Sequence, residues 1–188
     1  MAGVLLDLAI SLDGFIGRAD GSDAGLYDWY FEPSPASKPV TDELVETTGA
    51  IVIGRGAYGT GDDAGGWDDT PYQVRHVVLT HRPPAAVPGR TVEFVFVADG
   101  VHAALDSARA VAGDRYVTIG GGADVARQFL AAGLVDEIQL HVVPVLLGAG
   151  IALFDRTPDT SATRLNRIRV VDGPVVTHLR YQVERLAR

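Results

Sequence analysis

Two glycine-rich stretches carry the residues best suited to holding an anion. Gly54-Arg55-Gly56-Ala57-Tyr58-Gly59 follows an apolar run, and Ile119-Gly120-Gly121-Gly122-Ala123-Asp124 lies between a strand-like and a helix-like segment. A backbone without side chains lets a ligand approach closely, and a helix starting there offers unpaired N–H groups and the positive end of its dipole. The 119–124 junction therefore predicts a ligand turn. A tight strand-to-helix turn needing positive φ accounts for one glycine of the three. Asp124 cuts the other way, because a carboxylate in a first helical turn caps the helix and repels phosphate. Arg55 between two glycines suits backbone and guanidinium contacts to a phosphate, the alternative being a flexible surface turn. Residues 54–59 are also a literal G-x-G-x-x-G. A Rossmann fingerprint needs a helix after it, and the TGDDAGGWDDTP that follows does not make one.

Other chemistry is limited by what the chain contains. It has no cysteine, which removes disulfides, thiolate metal sites and thiol nucleophiles. Its five histidines show no metal-binding spacing, so no metal is expected. His141 has apolar neighbours and reads as a satisfied core histidine. Tyr27 and Trp29, and Trp67 followed by Asp68 and Asp69, can stack on a planar ring or pack in the core.

Positioning these residues requires alternating strands and helices. Val4 to Ile10 reads as a buried strand. Residues 11–38 form a long loop whose aromatics, Tyr27, Trp29, Tyr30 and Phe31, suit an ordered cover over a site. A short helix begins at Pro39, with Val40, Leu44 and Thr48 on one face and Gly49 as terminator. Strands are expected at 50–53, 77–79, 92–97, 116–119 and 136–143, and helices at 101–112, capped by Asp99, and at 123–132. Leu165–Val171 and Val175–Glu184 suggest a closing antiparallel hairpin. Such alternation predicts a mainly parallel sheet covered on both faces.

The bulk numbers agree with one soluble domain. The chain has 188 residues, 47% hydrophobic and 21% charged, enough for a sizeable core. A net charge of −8 argues against a duplex nucleic-acid binder, while leaving room for an anionic ligand held by a few local arginines. The N-terminal MAGVLLDLAISLDGF lacks a basic n-region, and no apolar run approaches a membrane span, so a cytoplasmic location is expected.

Together LAISLDGFIG at 8–17, AIVIGRGAYG at 50–59, HVVLTHRP at 76–83 and VTIGGGADVARQFLAAGLVDEIQLHVVPVLLGAGIALF at 117–154 resemble the dihydrofolate-reductase-like superfamily. Within it, the closer similarity is to the C-terminal reductase domain of riboflavin biosynthesis (the RibD C-terminal domain family). The resemblance implies a three-layer α/β/α fold, a mainly parallel sheet with an antiparallel C-terminal hairpin, NADPH as cofactor, and a homodimer, for which 138–154 offers an apolar surface. It puts Ala9 and Ile10 on the wall near nicotinamide and substrate, and Ile16 and Gly17 in the loop closing over the nicotinamide. Gly54, Arg55, Gly56 and Ala57 match a phosphate turn. Leu79, Thr80, His81 and Arg82 match the strand end that binds the adenosine ribose and its 2′-phosphate. Gly120, Gly121 and Gly122, with Ala123, Asp124 and Val125, match the pyrophosphate cradle. The helix acid of a dihydrofolate reductase falls on Lys38, so folate reduction is not indicated. Asp42 and Glu43, one turn further, are the candidate catalytic acids, the alternative being solvated charges near a helix N-terminus. Three readings follow: an NADPH-dependent reductase of a small pteridine-, pyrimidine- or imine-type heterocycle, a catalytically silent NADP-binding protein, or the 5-amino-6-(5-phosphoribosylamino)uracil reductase itself.

Overall fold

The computed structural model describes residues 2–58, 70–84, 91–154 and 163–184. Eight strands form one sheet in the order β4-β3-β2-β5-β1-β6-β8-β7. They are β1 (Val4–Ser11), β2 (Thr48–Gly54), β3 (Arg75–Leu79), β4 (Phe94–Val97), β5 (Tyr116–Gly121), β6 (Glu137–Val143), β7 (Leu165–Asp172) and β8 (Thr177–Val183). The strands from β4 to β6 are parallel, and β8 and β7 add an antiparallel hairpin at one edge. Each helix has a local reason. In α2 (Lys38–Thr47) Pro39 fits the first turn, and Val40, Thr41 and Leu44 form its buried stripe. In α4 (Gly100–Ala112) the buried stripe is Ala104, Leu105, Ala108 and Ala112, and Gly113, at φ +62°, ends the helix. Asp99 stands at its N-cap position without a side-chain cap bond.

Alternation along β1 divides the core. Leu6, Leu8 and Ile10 face one side, where they meet Ala104, Leu105 and Ala108 of α4 and Phe129 of α5 (Ala123–Ala131). Leu5 faces the other side and packs on Val40 and Leu44 of α2. Leu44 is 1% exposed, so Leu44→Ala would cost about 2–5 kcal/mol.

Several expected boundaries move. Thr48 and Gly49 belong to β2, and Gly49 does not terminate α2. A Cβ at Gly49 would lie 2.4 Å from the Ala112 carbonyl oxygen, so close packing under α4 explains this glycine. Within G-x-G-x-x-G a single helical turn, α3 (Arg55–Tyr58), is formed. A helix opening at residue 60, the test of a Rossmann unit, lies outside the described residues, as do Gly59, Trp67, Asp68 and Asp69. The loop after β1 contains a further turn of helix, α1 (Asp28–Phe31).

PVLLGAG at 144–150 acquires a structural role. Asp13 accepts hydrogen bonds from the Leu147 and Gly148 N–H groups (3.1 and 2.7 Å). Ile16 donates to the Ile151 carbonyl and Ile151 to that of Gly17, each at 2.9 Å. A Cβ at Gly150 would sit 2.2 Å from the Gly17 carbonyl oxygen. The 11–17 loop is therefore docked on 145–153 by backbone pairing that tolerates no side chain at that point.

Candidate active site

A doubly wound sheet opens a crevice where consecutive connections leave in opposite directions. Here the chain leaves β2 toward β3 and leaves β5 toward β6, so the crevice falls between the carboxyl ends of β2 and β5. A cavity of about 720 Å³ occupies this place. Gly54, Arg55 and Gly56 line it from the turn after β2, and Leu79, Thr80, His81 and Arg82 from the end of β3. Gly122, Ala123, Asp124 and Val125 line it from the start of α5, with Arg127, Gln128 and Ile151 beside them.

The α5 terminus leaves backbone donors uncapped. Gly122 is its N-cap at φ +86° and supplies no side-chain cap, and the first helical bond runs from Ala126 N–H to the Gly122 carbonyl at 3.1 Å. The preceding N–H groups are thus without intrahelical acceptors. Asp124 accepts a hydrogen bond from Gln128 at 2.7 Å. Arg127 donates to the Ala152 carbonyl at 3.0 Å, tying α5 to the segment that holds the 11–17 loop. Arg55 lies over the Tyr58 ring at 5.1 Å. At the end of β3 the Thr80 hydroxyl accepts from Arg82 N–H and donates to the Arg82 carbonyl (both 3.2 Å), which fixes a tight turn and leaves the His81 and Arg82 side chains exposed.

The three consecutive glycines have three different environments. Gly122 needs its positive φ. Gly121 is buried, and a Cβ there would lie 2.8 Å from that of Ala57. This glycine allows α3 to approach β5 and is not among the cavity-lining residues. A Cβ at Gly120 would lie 3.4 Å from Ile51, and Gly120 lines a second cavity. Ala9 and Ile10 are buried in β1 and, like Ala57, line neither cavity. Ile16 and Gly17 adjoin the first cavity through their bonds to Ile151.

The second cavity, about 310 Å³, is on the face that α2 covers. Its floor is Ile51 of β2, Thr118 and Gly120 of β5, Asp7 of β1 and His141 of β6, and its wall is Tyr27, Trp29, Tyr30, Phe31 and Tyr72. The aromatics of the 11–38 loop are therefore gathered over one site. Tyr30 and Tyr72 are stacked at 6.4 Å, and Trp29 lies 4.5 Å from the His141 ring and 4.9 Å from that of His178. Burial raises the Tyr27 phenol to about 12 and pushes that of Tyr72 up as well. The Trp29 Nε1–H is buried and has no acceptor among the described residues.

Behind the floor runs a line of short contacts. His141 Nε2 is 2.9 Å from Asp7 Oδ1, His141 Nδ1 is 2.6 Å from His178 Nδ1, and His178 Nε2 is 3.0 Å from the Ser37 hydroxyl. Gln139 also donates to Asp7 Oδ1, at 3.2 Å. Desolvation by burial, and then the neighbouring His141, hold His178 down at about 4. His141 is thus a core histidine that also lines a cavity, and Asp7 is the carboxylate there. The sequence alone did not single out Asp7 as a cavity residue. The available signal was an acid inside an otherwise apolar buried strand.

Asp42 and Glu43 are engaged elsewhere and line neither cavity. Asp42 is exposed and paired with Lys38 at 2.7 Å. Glu43 binds both Arg169 and Arg180, and Arg180 also holds Glu137 at 2.7 Å. This network ties α2 to β6, β7 and β8.

The model of the RibD C-terminal domain matches residues 2–177. The riboflavin biosynthesis protein RibD of Corynebacterium ammoniagenes is 29% identical over 154 residues, which are 80% of this chain and 45% of that protein. A crystal structure of a putative riboflavin biosynthesis protein from Shewanella superposes with a TM-score of 0.73 at 24% identity, covering 98% of this chain and all of that one. Dihydrofolate reductase from Enterococcus faecalis, complexed with NADP(H), superposes with a TM-score of 0.60 at 16% identity, covering 97% of each chain. With a dihydrofolate-reductase-like sheet and a family match over almost its whole length, the chain belongs to the RibD C-terminal domain family.

Proposed function

We propose that this protein is an NADPH-dependent reductase of a small planar heterocycle without a phosphate group. The observation that carries the reading is the pair of cavities built on β2 and β5. Gly54 and Gly122 line the first, and Ile51 and Gly120, a few residues back on the same segments, line the second. The first suits a dinucleotide: the free amides of α5 and Arg55 face a pyrophosphate, and His81 and Arg82 stand ready for a ribose 2′-phosphate. The neighbour complexed with NADP(H) supports the same assignment. Hydride chemistry belongs to the cofactor, and the protein supplies placement and exclusion of water.

The second cavity suits a flat ring. Aromatic faces can stack on it, and Asp7 and Thr118 offer polar contacts to its edge. Among the described residues that line it, none is lysine or arginine. The pathway substrate 5-amino-6-(5-phosphoribosylamino)uracil carries a phosphate, which finds no cation among those residues, and this favours a related, uncharged or cationic substrate. The test is fluorescence titration of the protein with NADPH, followed by NADPH oxidation against uncharged and phosphorylated heterocycles. Micromolar NADPH binding with turnover confined to uncharged rings is expected. Absence of NADPH binding would overturn the reading, and turnover of the phosphoribosyl substrate would overturn the substrate assignment.

A further inference from the structure

Reduction of a C=N bond consumes one proton for every hydride, and a cavity walled by aromatic rings restricts the water that could provide it. The carbon takes the hydride and its two electrons, and the nitrogen takes the proton. On the present reading NADPH supplies the hydride, so the structure should contain a route for the proton.

We propose that Asp7 is the proton donor of the second cavity and that His141, His178, Ser37 and Ser34 form the chain that recharges it from solvent. Although it rests on the reductase reading for its purpose, the geometry stands by itself. Ser34 is half-buried, Ser37, His141 and His178 are 0, 1 and 2% exposed, and the links measure 3.1, 3.0, 2.6 and 2.9 Å from Ser34 to Asp7. His141 and His178 face each other directly across β6 and β8, so strand register imposes their contact.

Hydrogen-bond accounting gives the chain one direction at rest. Asp7 is an acceptor when ionised, so His141 donates to it from Nε2. With its proton there, neutral His141 accepts at Nδ1, and His178 must donate from its own Nδ1. His178 Nε2 then accepts from the Ser37 hydroxyl, which accepts from that of Ser34. Every donor points toward Asp7. If each proton moves one link, Asp7 becomes a carboxylic acid, both histidines exchange tautomers, and solvent replaces the proton lost by Ser34. No histidine need become a cation. Burial beneath Trp29, and then His141 at 2.6 Å, oppose a charge on His178. Asp7 then turns its protonated oxygen to the cavity, gives that proton to the substrate nitrogen and returns to carboxylate. Both histidines return to their resting tautomers before the next cycle, so one solvent proton is consumed per substrate.

The charged groups around the chain are few. Arg169 on β7 faces His178 and is itself paired with Glu43, while the phenols of Tyr27, Tyr30 and Tyr72 surround Asp7. Gln139 bonds the same carboxylate oxygen as His141, so Oδ2 carries no hydrogen bond among the described residues. The carboxylate is thus held by one oxygen, and the other is the one available to the cavity.

Nuclear magnetic resonance of the full chain, labelled with 15N in histidine and 13C in aspartate and titrated from pH 8 to pH 4, reads the relay without a substrate. At pH 8 the expected spectrum shows neutral His141 and His178 protonated on Nε2 and Nδ1 respectively, with scalar coupling between the two Nδ1 atoms. Both histidines should exchange tautomers at the midpoint of Asp7. In Asp7→Asn the exchange should disappear, and Ser37→Ala should shift its midpoint with the histidine pair intact. A purely structural cluster would let Asp7 titrate with both tautomers unchanged, or would protonate a histidine to its cation before Asp7 takes up its proton. Either result overturns the relay. NADPH titration of the same sample separates the two ideas. Coupled switching without NADPH affinity removes the reductase reading and keeps the relay, and NADPH binding over static histidines does the reverse.

Discussion

Arg82 is exposed beside the first cavity and makes no ion pair among the described residues, although the chain carries more acidic than basic groups. A guanidinium held at a strand end by the Thr80 turn can take a 2′-phosphate in bidentate fashion. Charge-assisted hydrogen bonds are worth roughly 1.5–3 kcal/mol each, so Arg82→Ala should weaken NADPH binding about tenfold or more. NADH, which lacks that phosphate, should be unaffected. Paired titrations decide it, and equal losses for both cofactors would point to folding or overall charge. The buried histidines give a second expectation. His178 and His76 are both held below their ordinary value by burial, so the unfolded chain binds protons that the folded chain refuses. Stability contributed by His178 is present above about pH 6.5 and is lost as the pH falls toward about 4. Urea titrations should show stability declining through this window, with a smaller decline in His178→Gln.

At the level of elements, the end of β5 is closely packed against α3. Gly121→Ala brings a methyl group against Ala57 at 2.8 Å and forces α3 away from β5. Overpacking of this kind costs about 1–3 kcal/mol. The double variant Ala57→Gly with Gly121→Ala removes the obstacle, leaving Ile53 at 3.5 Å, and should recover much of the stability and any NADPH binding lost. If the double variant is no better than the single one, the glycine is required by the ligand and not by α3. The sequence suggested a ligand reason for all three glycines, because it shows the small residues without showing what approaches them.

For the whole molecule, the assembly expected from the family resemblance is a homodimer, and a molar mass near 40 kDa by light scattering, about twice the chain's 19.9 kDa, checks it. The described residues offer a different surface for it from the one the sequence suggests. Ile138–Leu140 lie inside the sheet between β1 and β8, so 138–154 cannot act as one exposed patch. The edge strand β7 instead carries Leu165, Ile168 and Val170 at 40, 51 and 47% exposure. An edge that is unpaired among the described residues and carries exposed apolar side chains is suited to a second copy. Ile168→Lys should shift the dimer toward monomer in the same measurement, and a wild-type monomer at micromolar concentration would end the idea.

Local pattern was enough to place the eight strands, the three longer helices, the parallel arrangement, the terminal hairpin and the glycine turn before α5, because each depends on periodicity, glycine or a helix start within a few residues. The tertiary structure decided what depends on residues far apart. Asp7 and His141 are 134 positions apart, and His178 and Ser37 are 141 apart, yet sheet order and register bring them into contact. Glu43, legible as a helix carboxylate, is claimed by arginines from β7 and β8 that only the hairpin delivers. A buried acid in an apolar strand is visible in the sequence, but its partners are chosen by the strands on either side, and those neighbours are fixed by the fold.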